Sequence, residues 1–415
     1  MGALKGKTKR RFLLYLSFFV FIVTLFFKGV ILPKNQGVEL PLSKGAISSA
    51  LEASLNSNIF PREIEVQSGL RKTKLVPSYS LDLLSQHKME KLFSQYRPDY
   101  GAFVAVDATT GAILSMISYT REPKNIGNLV LKATFPAASI FKVVTAAAAI
   151  DQKKADPNTI VSYTGSNHTL YKRNLSEKFN PRWARKVTLR EAFARSINSV
   201  FGKVGLYILK PEELTEYAKR FQFNQTINAD VPVQPGTFYL EAEDQYKIAE
   251  AASGFTRTAQ MSPLQGALMA ASIVNEGMMM EPYLVSSLHT PQGETFYKVD
   301  IKPLGQVMES QSAKNLRELM RETVVRGTSQ KSFRDLLRKK KAQEIEMGGK
   351  TGHLTGLSPK GNYDWFVGYA TDGKKQVALA ALTINEETWR VKSSYLARQF
   401  FESYFRKVSL PEGKP

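Results

Sequence analysis

The sequence predicts an α+β protein in which one antiparallel sheet is assembled from both ends of the chain and a helical lobe forms in the middle. Two observations predict it. Apolar runs flank turn residues near 101–119 and again near 363–384, and helical periodicity dominates the stretch between them. The 415 residues are 43% apolar and 23% charged, close to globular averages, which excludes a disordered, collagen-like or multi-span membrane protein.

An apolar segment with a single charged residue lies near the start of the chain. Residues 12–32, with only Lys28 charged, are long enough to cross about 30 Å of hydrocarbon as a helix. The basic residues before it predict a cytoplasmic segment at 1–11, a single-pass inner-membrane anchor at 12–32 and an extracytoplasmic, periplasmic catalytic part. A cleaved signal peptide is the alternative, but residues 30–33 offer no small-x-small cleavage site.

The charge and the rare residue types exclude several function classes. The net charge is +20, and residues 1–34 contribute seven cations and no acid, so the remainder is +13. The sequence has no basic stripe interleaved with aromatic residues, so nucleic-acid binding is not predicted. The excess positive charge suits an anionic lipid surface or cell-wall polymer. With no cysteine and four histidines, a thiol nucleophile, a disulfide scaffold and a thiolate metal site are excluded, and we expect no His-rich metal site.

The remaining chain divides into a linker, one domain and a tail. Prolines and polar stretches predict a tether at 33–73, too short for an independent core, followed by a domain at 74–407 and a tail at 408–415. The predicted elements of the domain, in chain order, are an extended segment at 75–81, an amphipathic helix at 82–96, a hairpin at 101–119, helices at 211–221 and 263–276, a hairpin at 363–384 and a closing helix at 387–405.

A serine and a lysine share one face of a predicted central helix. Ser139-Ile-Phe-Lys142 opens a helix that is apolar on nearly every other face, and positions i and i+3 lie on the same side. Burial favours neutral lysine, so Lys142 is a candidate base for Ser139. Ser85-Gln-His-Lys88 has the same spacing in a polar amphipathic stretch, and we expect Ser85 and Lys88 to be surface helix residues.

Two more short motifs follow in order. Ser196-Ile-Asn198 lies within an apolar-striped segment at 189–207, where it either faces solvent or shares a cleft with Lys142. Lys350-Thr351-Gly352 precedes the second hairpin, and it is either a solvated glycine-rich turn or a strand edge that presents a cation and a hydroxyl to a carboxylate.

Taken together, these motifs resemble the transpeptidase domain of penicillin-binding proteins. S-x-x-K, a Ser/Asn motif and K-T-G occur in that family and in class A β-lactamases. The similarity covers about residues 74–407 and is carried also by the segments at 101–116 and 135–146 and by Ser262-Pro-Leu-Gln265, Asn275-Glu-Gly277, Arg326-Gly-Thr328 and Trp365-Phe-Val-Gly368. It implies a five-stranded antiparallel sheet covered by helices plus an all-helical lobe.

The resemblance also implies catalytic roles. Ser139 would attack the carbonyl of a D-Ala-D-Ala peptidoglycan stem peptide to form an acyl-enzyme, and Lys142 would accept its proton. Ser196 and Asn198 would manage proton delivery and substrate placement, with Lys350 polarising Ser196. β-Lactams would acylate Ser139 as covalent inhibitors. Neither metal nor cofactor nor nucleic acid is implied, and other cell-wall synthesis proteins are candidate partners.

Substrate binding is implied for the K-T-G strand. Lys350 and Thr351 would bind the terminal carboxylate, Gly352 would admit the substrate, and the backbone N–H groups of Ser139 and His353 would form the oxyanion hole. His353 departs from the family, which usually carries Thr there, so a hydroxyl contact is lost and a titratable ring is gained. We expect His353 to shape the cleft rather than act as a base, because Lys142 is already present.

Two other departures bear on function. Residues 33–73 leave no room for the glycosyltransferase domain or N-terminal module of larger family members. Pro211-Glu-Glu-Leu214 faintly resembles the deacylating loop of class A β-lactamases, but it fits a helix N-terminus with acids in the first turn.

Three functions compete on this sequence. The first is a membrane-anchored D,D-transpeptidase. The second is a hydrolase, either a D,D-carboxypeptidase or a β-lactamase, which shares the acylation step and uses water as the acceptor. The third is a non-catalytic β-lactam sensor or scaffold.

Overall fold

A computed structural model describes residues 42–68, 71–122, 126–176, 182 and 184–406. Its strands, in chain order, are β1 (Ile64–Ser68), β2 (Arg71–Tyr79), β3 (Tyr100–Asp107), β4 (Ile113–Thr120), β5 (Phe135–Pro136), β6 (Ile160–Tyr163), β7 (Arg185–Thr188), β8 (Gln260–Met261), β9 (Met278–Met280), β10 (Val285–His289), β11 (Thr295–Lys298), β12 (Pro303–Gln306), β13 (Glu346–Leu357), β14 (Lys360–Thr371) and β15 (Gln376–Asn385).

The α-helices, also in chain order, are α1 (Lys44–Asn56), α2 (Leu83–Tyr96), α3 (Lys142–Asp151), α4 (Lys172–Leu175), α5 (Leu189–Ala194), α6 (Asn198–Lys203), α7 (Pro211–Arg220), α8 (Gln245–Ser253), α9 (Pro263–Val274), α10 (Ser310–Val325), α11 (Gln330–Leu337) and α12 (Ser393–Arg406). A 3₁₀ turn at Ala138–Phe141 runs into α3, a second 3₁₀ turn spans Lys340–Ala342, and a π-helical segment at Val204–Ile208 follows α6.

The central five-stranded sheet joins the two ends of the domain. Its order is β13-β14-β15-β3-β4, and all neighbours are antiparallel. The two hairpins meet where β15 pairs with β3, from Val377 opposite Asp107 to Ile384 opposite Tyr100. This topology confirms the predicted sheet. It also makes β13, which carries Lys350-Thr351-Gly352, an edge strand.

Helices cover both faces of this sheet. Helix α9 packs on one face and is buried along its entire length, because its sequence is apolar nearly all round. A side chain at Gly266 would approach Val367 to within 3.1 Å, so the glycine allows α9 to lie close to the strands. The other face packs against α2 and α12, where the Phe103 and Phe400 rings lie 5.2 Å apart.

Most of the segment that was predicted as a tether, 33–73, lies in the packed domain. Residues 42–67 and the described residues from Lys72 onward form one compact unit. In α1, Ile47, Leu51 and Leu55 are spaced by four residues and are all buried in the main core. Lys44 of the same helix pairs with Glu281, so α1 contacts residues far away along the chain.

A second sheet and a ladder within the lobe were not predicted. A four-stranded sheet has the order β1-β2-β10-β11, and β2 pairs with β10 so that Val76 lies opposite His289. The predicted all-helical lobe also contains the two-stranded β6–β7 ladder. The pairing of β2 with β10 joins residues more than 200 positions apart, so the local sequence pattern did not reveal the four-stranded sheet.

The prediction for Ser85 was wrong. Ser85 is 1% exposed on α2, whereas the apolar side chains of Leu83 and Leu84 on the same helix are exposed. The neighbouring residue, Gln86, explains why this face of α2 is buried. The Gln86 side chain accepts from Met116 N and donates to Met116 O, and so pairs with the free backbone groups of the edge strand β4.

No helix among the described residues is long and apolar enough to span a membrane. The segments predicted at 1–11, 12–32 and 408–415 lie outside the described residues.

The packing of α1 predicts a stability effect. Replacing Leu51 with Ala should destabilise the protein by about 3 kcal/mol, because a fully buried side chain is removed and a cavity remains. Urea unfolding measures the change, and Glu52→Ala on the exposed face of the same helix is the control. Equal stabilities for both variants would mean that α1 is a detached tether.

Candidate active site

The serine of S-x-x-K lies on the tight turn before α3. Ala138 has a positive φ of 50°, and a side chain at Gly254 would approach Ala138 O to 2.0 Å, so the glycine makes room for the turn. Trp365 Nε1 donates to Pro136 O at 3.0 Å and ties the turn to β14. These contacts hold Ser139 at the N-terminal end of α3, in the wall of a cleft of about 470 Å³.

Lys142 is completely buried beneath Ser139. Its Nζ lies 2.8 Å from Ser139 Oγ, 2.7 Å from Asn198 Oδ1 and 2.5 Å from the carbonyl oxygen of Ser253. Burial, followed by the charge of Lys350, lowers the pKa of Lys142 well below its usual value. A neutral amine has two N–H groups and one lone pair. Because Asn198 Oδ1 and Ser253 O can only accept, they take the two N–H groups and leave the lone pair for the Ser139 hydroxyl.

A break in the predicted helix at 189–207 brings Ser196 and Asn198 into the cleft. Helix α5 ends at Ala194, Ser196 has a left-handed φ of 56°, and α6 begins at Asn198. In one continuous helix, residues two apart would point to different faces. The break allows Asn198 to contact Lys142 while Ser196 contacts Lys350.

Lys350 and Thr351 approach from the edge strand β13. Lys350 Nζ donates to Ser196 Oγ at 2.9 Å and to the carbonyl oxygen of Thr351 at 2.9 Å. Burial lowers the pKa of Lys350 to about 7, so both of its protonation states are populated near neutral pH. The hydroxyl groups of Thr351 and Thr328 lie 2.5 Å apart beside it. This group can offer a cation and hydroxyls to a carboxylate.

Gly352 and His353 complete the strand at the cleft. A side chain at Gly352 would meet Ile140 Cγ1 at 3.1 Å and Ala137 O at 3.3 Å, so the glycine allows β13 to approach the nucleophile turn. The His353 side chain is 54% exposed, and its Nδ1 lies 3.5 Å from Asp364 Oδ1. His353 therefore faces the mouth of the cleft rather than Lys142.

Six of the eight predicted site residues line one cleft, and the other two, Lys142 and Lys350, are buried directly beneath Ser139 and Ser196. Sequence reasoning missed His168, Asp364 and Lys392, which also line it. His168 O accepts from Asn198 Nδ2 at 2.8 Å, and burial lowers the pKa of its ring. No local motif marks these three residues, because they reach the cleft only through tertiary packing.

The fold and these motifs agree with comparisons against known proteins. Residues 101–405 match the family described as the penicillin-binding protein transpeptidase domain. The chain belongs to this family.

Among curated relatives, the peptidoglycan D,D-transpeptidase PbpA of Mycolicibacterium smegmatis is 27% identical over 319 residues, which cover 69% of this chain and 62% of the relative. The stage V sporulation protein D of Bacillus subtilis is 24% identical over 298 residues, which cover 67% of this chain and 43% of the relative. The chain therefore spans less than two thirds of the length of these relatives.

Solved structures show the same fold. The D,D-transpeptidase domain of a peptidoglycan glycosyltransferase from Eggerthella lenta has a TM-score of 0.68 at 22% identity and covers 88% of this chain and 91% of its own. The imipenem acyl-enzyme complex of penicillin-binding protein A from Mycobacterium tuberculosis has a TM-score of 0.65 at 23% identity and covers 80% of each chain.

The buried ammonium of Lys350 predicts a pH-dependent stability. Its pKa is about 7 in the folded protein and near 10.5 in water, so below pH 7 the folded state carries the full cost of a buried charge. That cost is relieved as the pH rises from about 7 to 10.5. Lys350→Met should therefore be more stable than wild type at pH 6, by about 2–4 kcal/mol, and this advantage should shrink by pH 10.

Urea unfolding at both pH values measures the difference. Lys360→Met, which removes an exposed lysine from the neighbouring strand β14, is the matched control. An advantage of Lys350→Met that does not change between pH 6 and pH 10 would contradict a desolvated ammonium.

Proposed function

We propose that this protein is a membrane-anchored serine D,D-transpeptidase that acts on peptidoglycan stem peptides through an acyl-enzyme on Ser139. One observation carries the proposal. Ser139 is hydrogen-bonded to Lys142, a buried lysine of lowered pKa, and a second lysine, Lys350, donates to Ser196 in the wall of the same cleft.

Acylation begins with the neutral amine of Lys142. It accepts the Ser139 hydroxyl proton while Oγ attacks the carbonyl between the two terminal D-Ala residues. The backbone N–H groups of Ser139 and His353 stabilise the oxyanion. The C–N bond then breaks, and D-Ala leaves as an amine.

The leaving amine needs a proton, and Ser196 is placed to deliver it. Its hydroxyl accepts a hydrogen bond from Lys350, not from Lys142, so the relay proposed here runs from Lys350 through Ser196. A donor with a pKa of about 7 suits general acid catalysis near neutral pH. Lys350, Thr351 and Thr328 hold the terminal carboxylate of the substrate, with Gly352 leaving space for its backbone.

Asn198 positions Lys142, the base proposed for Ser139. Its Oδ1 fixes Lys142, and its Nδ2 is held by His168 O, so its amide orientation is determined by the network. β-Lactams acylate Ser139 in the same way because their ring amide replaces the scissile peptide bond.

The acyl-enzyme is resolved by an amine rather than rapidly by water. Glu213, which corresponds to the suggested deacylating loop, instead caps α7 by accepting from Lys210 N at 2.8 Å and pairs with Lys154 at 2.7 Å. It does not line the cleft. A D,D-carboxypeptidase, in which water is the acceptor, is the second outcome of the test below.

The anchor is proposed from the sequence. The run at 12–27 is uncharged, and all charged side chains before it are basic. This pattern supports a single inner-membrane helix with the catalytic part in the periplasm. Such placement brings the cleft to peptidoglycan and to other proteins of cell-wall synthesis.

Mass spectrometry of the purified full chain tests the function. Incubation with penicillin should add one intact penicillin to wild type and to Ser85→Ala, which removes the serine of the second S-x-x-K. Ser139→Ala should gain no adduct, because its nucleophile is missing. A D-Ala-D-Ala peptide supplied with an amine acceptor should then give the cross-linked product.

Each other result has a meaning. Equal labelling of Ser139→Ala would refute the nucleophile. Release of D-Ala without a cross-linked product would identify a carboxypeptidase, rapid turnover of penicillin would identify a β-lactamase, and a stable adduct with no peptide turnover would identify a sensor.

A further inference from the structure

Four residues form a cluster at the mouth of the cleft. His353 and Asp364 are direct partners on β13 and β14, and Trp389 and Lys392 precede α12. We call these residues the Asp364 cluster. His353, Asp364 and Lys392 line the same cleft as Ser139.

The Asp364 carboxylate is fixed and oriented. Asp364 is 7% exposed, and its Oδ2 accepts from the backbone N–H of Ser393 at 2.7 Å. Its Oδ1 lies 3.5 Å from Lys392 Nζ and 3.5 Å from His353 Nδ1. One oxygen therefore accepts from the backbone, and the other faces the Lys392 ammonium and the His353 ring at the cleft.

Trp389 provides an aromatic face beside this oxygen. Lys392 Nζ lies 3.7 Å from the centroid of the Trp389 ring, and the His353 ring packs 4.5 Å from it. An aromatic face together with a carboxylate is the combination that recognises an ammonium group. Here that place is occupied by a side chain of the protein itself.

Lys392 is not locked in this position. The side chain is 51% exposed, and its ammonium group lies at the end of a flexible four-carbon stem. The ammonium group can therefore leave the site without disturbing the core. We propose that Asp364 and Trp389 form a docking subsite for the ammonium group of the acceptor, and that Lys392 occupies the subsite until an acceptor displaces it.

This inference rests on the proposed function, because an acceptor is needed only after Ser139 has been acylated. The donor's carboxylate is assigned to Lys350 and Thr351, which leaves the Asp364 cluster available to the second substrate. Of the groups on that substrate, the reacting amine is protonated in neutral solution and matches the charge of Asp364.

The chemistry balances as follows. The docked ammonium releases one proton to water, and its nitrogen lone pair attacks the ester carbonyl on Ser139. The new C–N bond forms, the C–Oγ bond breaks, and the remaining surplus proton passes from nitrogen through Lys142 to Ser139 Oγ.

The partition of one acyl-enzyme between two nucleophiles tests the inference. The full chain is acylated with a D-Ala-D-Ala peptide in the presence of Nα-acetyl-lysine amide, whose single amine is charged, or hydroxylamine, which is neutral at pH 7.5. The measured quantity is the half-saturating concentration of each acceptor and the ratio between them. Effects on acylation cancel in this ratio, since both nucleophiles resolve the same intermediate.

Three variants should change the ratio in defined directions. Asp364→Asn, which retains an acceptor for Ser393 N–H, and Trp389→Leu should each raise the half-saturating concentration of the charged amine about fivefold relative to hydroxylamine. Lys392→Met, which keeps the stem and removes the competing ammonium, should lower it by a similar factor. Lys375→Met is the matched control, because it removes an ammonium that lies 5.7 Å from the Tyr404 ring, outside the cleft lining.

Other outcomes overturn the inference. A ratio that is unchanged in Asp364→Asn, or a Lys392→Met variant that captures the charged amine less well, would show that the cluster does not receive the acceptor. An acyl-enzyme that reacts only with water would also overturn it while the Ser139 chemistry stands. Absence of any Ser139 adduct would instead overturn the proposed function, and the subsite with it.

Discussion

The site depends on the burial of the Lys142 amine between oxygens that can only accept hydrogen bonds. Water would keep this amine protonated, and a protonated lysine cannot take the proton of Ser139. The apolar helix α3 removes water, and Asn198 Oδ1 and the carbonyl of Ser253 orient the two N–H groups. These two oxygens are supplied by the first residue of α6 and the last residue of α8.

A second buried lysine reinforces the first. The charge of Lys350 further lowers the pKa of Lys142, while its own burial lowers its pKa to about 7. The left-handed backbone at Ser196 separates α5 from α6. Because of this break, Ser196 contacts Lys350 while Asn198 contacts Lys142, so each lysine has its own hydrogen-bond partner. One lysine is thereby suited to accept a proton and the other to donate one.

The sequence predicted the sheet and singled out the motif residues that the structure gathers at the cleft, because both leave local signals. The hairpins carry turn glycines between apolar runs, and Ser139 and Lys142 are the main polar interruptions near the start of an otherwise apolar helix. The packing of α1 and the pairing of β2 with β10 were missed because key partners lie far away along the chain: Lys44 pairs with Glu281, and Val76 lies opposite His289. The break at Ser196 was missed since its apolar stripe continues across both helices, and the Asp364 cluster because it unites β13, β14 and the N-terminus of α12.

The central claim is that desolvation makes Lys142 a neutral base at physiological pH, and the pH dependence of Ser139 acylation by penicillin tests it most directly. The second-order acylation rate should rise with pH and reach its plateau well below 10.5, the ordinary pKa of lysine, because the neutral amine is the active form. A rate that continues to rise up to pH 10.5 would show that Lys142 titrates as a solvated lysine and would contradict the account.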